Sequence, residues 1–129
     1  MDAKLRADVF ERAAQRCEYC QRSQGDSPLI PFHVEHIIPR KHGGVDRPEN
    51  LCLACPDCNY QKGSDLAGLD PQTGDLTRLF DPRGQEWKEH FSWNGVRIVG
   101  LTATGRTTVN VLNLNSPARL QVRFATANH

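Results

Sequence analysis

Two C-x-x-C pairs, Cys17/Cys20 and Cys55/Cys58, stand 34 residues apart in a chain of 129. Each spacing lets two thiolates reach one tetrahedral ion at about 2.3 Å per sulfur. Together they predict a four-cysteine zinc site, which brings residues 17–20 against residues 55–58 whatever else the chain does. A closed tetrahedral sphere leaves no open position for a substrate, so the expected role of the zinc is structural. A redox role is disfavoured because no thioredoxin-like βαβ pattern surrounds either pair. The fifth cysteine, Cys52, makes the count odd, which argues against a disulfide framework. It reads as a small buried residue, with a replacement ligand or nucleophile as the alternative.

A metal staple suits this composition. The hydrophobic fraction is 38%, enough for a modest core in a domain whose size limits burial. No apolar run approaches the roughly 18 residues of a membrane span. The opening MDAKLRADVFERAAQRC lacks the continuous apolar core of a secretory signal, so a cytoplasmic location with no membrane contact is expected. Lys and Arg number 16 against 15 Asp and Glu, for a net charge of +1. That balance supplies no global basic footprint, and any phosphate contacts must come from a local patch.

Ala3 to Gln15 reads as a helix, with Leu5, Val9 and Ala13 on one face and Asp2 as N-cap. A Gly/Pro-rich loop leads to Phe32–Ile38, which reads as a strand closed by Pro39. A turn-rich loop follows, then the short strand LCLA. Pro56 starts a helix that Gly63 stops. The second half contains a turn around Pro71 and Gly74. Asn94-Gly95 divides two apolar-alternating runs and predicts a type I′ hairpin. The segment TATGRTTVNVLNLN reads as a helix. Ser116 as N-cap and Pro117 at the first position predict a terminal helix.

The fragments CEYC and FHVEHIIPRKHGGVDRPENLCLACPDCNYQKG carry more than zinc. Together they resemble the HNH endonuclease family in its zinc-stapled form. The matching residues are Glu35-His36, Pro39, Gly43-Gly44, Asn50-Leu51, Cys58-Asn59 and Lys62, within roughly residues 5–64. The resemblance implies an α+β fold: a ββα-metal module (treble-clef-like, the His-Me finger) over residues 1–64. Residues 65–129 would form a small α+β extension bearing the hairpin. It implies hydrolysis of DNA phosphodiester bonds, one nick per site, with RNA as a possible substrate. His36 matches the general base, a task suited to an imidazole titrating near neutrality. Glu35 and Asn59 match the ligands of a catalytic divalent ion. Asn50 matches the asparagine that pins the loop, and Lys62, Arg40 and Lys41 are candidate phosphate contacts. Asn59 stands where histidine is common. Its neutral oxygen favours hard ions such as magnesium.

A regular strand points Glu35 and His36 to opposite faces and puts His33 with Glu35. Joint action of Glu35 and His36 on one phosphate therefore requires the strand to twist, bulge or end. His33 itself reads as a structural or substrate-facing polar residue, with second metal ligand as the alternative. His42 and His90 have loop-like surroundings and receive no role, and the terminal His129 is expected to be exposed. Residues 70–109 look more loosely like an extension found in some bacterial HNH proteins. There Trp87, Phe91 and Trp93 read as a small core. The alternative is a nucleic-acid or partner surface completed by Arg97, Arg106, Arg119 and Arg123. Two rivals to an enzyme remain: a zinc-stapled nucleic-acid-binding module, and a docking module recruited by a larger targeting effector. A homodimer is the partner expected for double-strand cleavage.

Overall fold

A computed structural model describes residues 1–127, and His129 lies outside that range. Helix α1, Ala3–Arg12, starts where the Asp2 carboxylate accepts from Leu5 N–H at 2.7 Å. It ends three residues earlier than the sequence pattern suggests. Ala14 and Gln15 adopt positive φ, 53° and 60°, a left-handed step that no helix continues through. Arg12 anchors that helix end. Its guanidinium donates to the carbonyls of Pro48 and Leu51, at 2.9 and 2.6 Å, tying the helix end to the start of the second strand.

Strand β1, His33–His36, pairs antiparallel with β2, Leu51–Ala54, in the register His33↔Ala54 to His36↔Leu51. β1 is shorter than the apolar run, since the chain bends away after His36. All four residues of β2 are buried, because α1 and the following helix both lie against it. That helix, α2, runs Pro56–Lys62. The Cys55 thiol accepts from Cys58 N–H at its start, and Gly63 closes it with φ 51°. Strand, loop, strand and helix thus form the ββα unit, with the zinc cysteines at its ends.

The second half adds β3 (Ala67–Leu69) with β4 (Leu76–Arg78), then α3 (Trp87–His90). After these come β5 (Phe91–Asn94) with β6 (Arg97–Gly100), α4 (Ala103–Val111) and α5 (Pro117–Ala127). The expected turn at Pro71 and Gly74 is the link of the β3–β4 hairpin, whose three-residue strands are too short to show a period of two. The β5–β6 hairpin is where the sequence put it, with a different turn. Asn94 pairs with Arg97, so the loop residues are Gly95 and Val96. Gly95 has φ 61° and Val96 is not among the positive-φ residues. A positive φ at the first loop residue alone is the type II′ pattern, not the type I′ turn centred on Asn94-Gly95. His90 also departs from its loop reading. It ends α3, with Nδ1 2.7 Å from Thr102 Oγ1.

Trp87 stacks between Phe91 and Trp93, at centroid distances of 5.1 and 5.7 Å. Phe91 is buried and Trp93 is 47% exposed. The Trp87 indole N–H donates to the Tyr19 carbonyl at 2.8 Å, binding the extension to the first zinc turn. Three of the four arginines considered for a nucleic-acid surface are engaged inside the protein. Arg106 makes a two-pronged pair with buried Asp70 at 3.0 and 2.8 Å. Arg123 donates to the carbonyls of Val96 and Leu114. Arg119 reaches the zinc cysteines.

Candidate active site and zinc centre

The metal centre forms from two turns of the same design. Cys20 N–H points at Cys17 Sγ at 3.5 Å, and Cys58 N–H at Cys55 Sγ at 3.4 Å. Each C-x-x-C thus uses a backbone amide to steady its leading sulfur. The four ligand atoms all lie within 4.8 Å of one another, and all four residues are buried. Cys20 Sγ and Cys55 Sγ are 3.7 Å apart. Four sulfurs at about 2.3 Å from a central ion sit about 3.8 Å from each other in a tetrahedron. The donor set and its spacing fit structural zinc.

Cys52 stands outside the quartet. Its sulfur lies 3.6 Å from Tyr19 Oη and 3.9 Å from Glu35 Oε2. Burial pushes its thiol well up, and the Glu35 charge adds to that. A thiol held protonated is neither ligand nor nucleophile, so the buried-residue reading is the one the geometry supports.

Glu35 points inward from β1 and is 7% exposed. Burial raises its carboxyl from the ordinary 4.5 to about 7, while the Lys62 charge and a Tyr19 hydrogen bond pull the other way. Its Oε1 is buried with no hydrogen-bond partner, an arrangement that costs free energy unless a cation or proton arrives. Lys62 comes nearest, with Nζ 3.8 Å from Oε1 and donating to the Ile37 carbonyl at 3.2 Å. This differs from the reading of Lys62 as a phosphate contact. The side chain is 2% exposed and turned into the protein, because α2 lies against β1 and its last turn faces the carboxylate.

His36 occupies the other face of the same strand end. β1 pairs regularly through His36 and stops there, so of the three ways the strand could accommodate both residues, it takes the end. His36 Nε2 lies 2.6 Å from Asp46 Oδ1. Asp46 also accepts from Arg40 at 2.7 Å. The hydrogen bond from His36, and then Arg40, hold the Asp46 carboxyl below its usual range. Asp46 was absent from the sequence reading. It sits among turn residues, ten positions from His36, and no spacing rule joins the two.

The loop between the strands has its own scaffold. Gly43 turns with φ 90°, a conformation suited to glycine. A Cβ on Gly44 would stand 1.6 Å from the Ile38 carbonyl oxygen. Asn50 bridges the loop: Oδ1 accepts from Ile38 N–H at 2.8 Å, and Nδ2 donates to the carbonyls of Ile38 and Val45 at 3.0 Å each. Asn59 is half-buried on α2, three residues before Lys62. His33, at the outer end of β1, is exposed, as are Lys41 and His42. Arg40 is exposed but committed to Asp46. Among the described residues, the cluster of three or more His, Cys, Asp or Glu side chains spaced for a metal ion is the cysteine quartet.

No helix among the described residues is long and apolar enough to cross a membrane. Residues 17–65 match the model of the HNH endonuclease family. The chain is 26% identical over 118 residues to the Septu protein PtuB of Bacillus thuringiensis, covering 90% of this chain and 43% of that protein. It therefore spans less than half the length of that curated relative. No solved structure matches it significantly. The matched segment begins at the first zinc cysteine and takes in β1, the loop, β2 and α2, so it is the zinc-stapled ββα unit, residues 17–65, that matches the HNH endonuclease domain.

Proposed function

We propose that this chain is a metal-dependent endonuclease that hydrolyses DNA phosphodiester bonds, one nick per active site. The observation that supports it most is Oε1 of Glu35: a buried carboxylate oxygen with no hydrogen bond and the Lys62 ammonium 3.8 Å away, at the strand end that also carries His36. A divalent ion at this place would satisfy that oxygen. Glu35 and Asn59 would hold the ion, and His33 is a candidate further ligand. Magnesium or a similar hard ion suits one carboxylate and one amide oxygen, and it would neutralise the scissile phosphate and the leaving oxygen.

His36 acts as general base. It takes a proton from the attacking water through Nδ1, the ring nitrogen left by the Nε2 contact with Asp46. Lys41, with Arg40, contacts flanking phosphates from the loop. Lys62 serves as an internal counter-charge to Glu35 rather than a substrate contact. A net charge of +1 favours recruitment: a larger partner brings the domain to its substrate. Double-strand breaks then require a second copy or a second event.

Supercoiled plasmid and magnesium, tested beside His36→Ala, check the reading. Relaxed circles should accumulate with the parent and not with the variant. A zinc-loaded, folded protein that nicks neither DNA nor RNA with any divalent ion sinks the enzyme reading and leaves a binding module.

A further inference from the structure

We infer that Asp46 is the positioning residue for His36: its carboxylate fixes the imidazole as the Nε2–H tautomer and turns Nδ1 toward the substrate side. The inference rests on the endonuclease reading above and assigns a part to a residue outside the HNH motif positions.

The Nε2–Oδ1 distance is 2.6 Å, just under the roughly 2.7–2.9 Å of charge-assisted N–H···O bonds. An ionised carboxylate can only accept. The proton of this bond therefore belongs to Nε2, and in the neutral ring the lone pair lies on Nδ1. The side chains of His36 and Asp46 are 18% and 28% exposed, so water competes weakly for either. Oδ1 also accepts from Arg40 Nη2 at 2.7 Å, which fixes the carboxylate's rotation.

The loop delivers Asp46 to this place by a route that can be traced atom by atom. Asn50 Nδ2 holds the carbonyl of Val45, the residue immediately before Asp46. The same nitrogen and its partner oxygen hold Ile38, two residues after His36. One asparagine side chain therefore sets the separation between the strand end that bears the base and the turn that bears its carboxylate. Gly44 lets the Ile38 carbonyl pass at a distance no Cβ would allow. An ion pair whose only task was to hold Arg40 would need none of this, since exposed pairs add little.

The experiment compares parent, Asp46→Ala, Asp46→Glu and His36→Ala as full-length, zinc-loaded proteins. Histidine-selective nitrogen-15 NMR reads the ring, and plasmid nicking reads kcat and KM. The parent should show a downfield Nε2–H resonance for His36, slow to exchange with water. Asp46→Ala should lose that resonance and lower kcat on the order of ten- to a hundredfold. That is less than the 10²–10⁴ expected for loss of the base itself. KM should stay within about twofold, and Asp46→Glu should recover part of both signals. A parent ring without a bonded Nε2–H, or an Asp46→Ala protein with parental kcat, overturns the inference while nicking by the parent still supports the endonuclease. If the resonance is present and neither parent nor His36→Ala nicks, the endonuclease reading fails. The positioning role then falls with it.

Discussion

Arg119, in the last helix, places Nη2 2.9 Å from Cys58 Sγ and 3.8 Å from Cys55 Sγ, across 61 residues of chain from the nearer sulfur. Its Nη1 holds the Leu112 carbonyl at 3.0 Å. Four thiolates around a divalent ion carry a surplus of negative charge, and a guanidinium donating to two of the sulfurs offsets it. Outer partners of metal ligands typically contribute 10- to 100-fold in metal affinity. Arg119→Ala should therefore release zinc about tenfold faster to a chromogenic chelator. Arg119→Lys, with a point charge in place of the fork, should fall between. Release at the parental rate from both variants would mean the contact does not bear on the metal.

The five cysteines should separate cleanly by metal content. Cys58→Ala removes a ligand, and the protein should lose zinc and its cooperative melting transition. Cys52→Ala should keep one zinc per chain. It should cost about 1 kcal/mol in a buried site, from the small cavity left beside Tyr19. Loss of zinc from Cys52→Ala would return that residue to the ligand set.

Glu35 makes stability depend on pH. The unfolded chain gives up the Glu35 proton near 4.5, while the folded chain holds it to about 7. Between those values the folded state binds the extra proton, so stability falls as pH rises. The full effect is on the order of 3 kcal/mol at 1.36 kcal/mol per unit. Denaturant melts of zinc-loaded protein in magnesium-free buffer, at pH 5 and pH 7.5, should show this decline. Glu35→Gln should flatten it, and should abolish nicking.

Gly44→Ala should be among the most damaging small substitutions in the chain. The added Cβ meets a backbone oxygen at 1.6 Å, and a carbonyl in a paired loop cannot swing aside. Loss of several kcal/mol is expected. At a temperature where the variant stays folded, nicking should drop further than stability alone accounts for, since the loop carries Asp46. A variant with parental melting temperature and activity would mean that the loop adjusts freely.

The sequence was most readable where chemistry demands fixed spacing. The C-x-x-C pairs and Pro56 at the helix start needed no three-dimensional information to locate. The hairpin at residues 91–100 was legible in place but not in turn type. Asn-Gly satisfies the I′ pattern, and the Phe91↔Gly100 register overrode it by one residue. Asp46 was invisible because its importance lies in a contact across a turn. Lys62 misled for a related reason: a lysine near a helix end usually faces water, and only the packing of α2 on β1 turns it inward. Arg106, Arg119 and Arg123 likewise looked like surface charge until Asp70, a sulfur and two carbonyls claimed them.

The bond from the Trp87 indole to the Tyr19 carbonyl joins residues 68 positions apart. Tyr19 lies between the two cysteines of the first zinc turn, so its carbonyl reaches its final orientation only once that turn has formed. Closing so long a loop costs entropy that later contacts must repay. The aromatic stack of the second half thus has an anchor point made by the first. The two halves are therefore coupled: loss of the metal turn misplaces the carbonyl that the indole of the stack donates to. A chain interrupted before residue 87 would keep its four metal ligands and lose both the indole bond to the first of their turns and the Arg119 contact to the second.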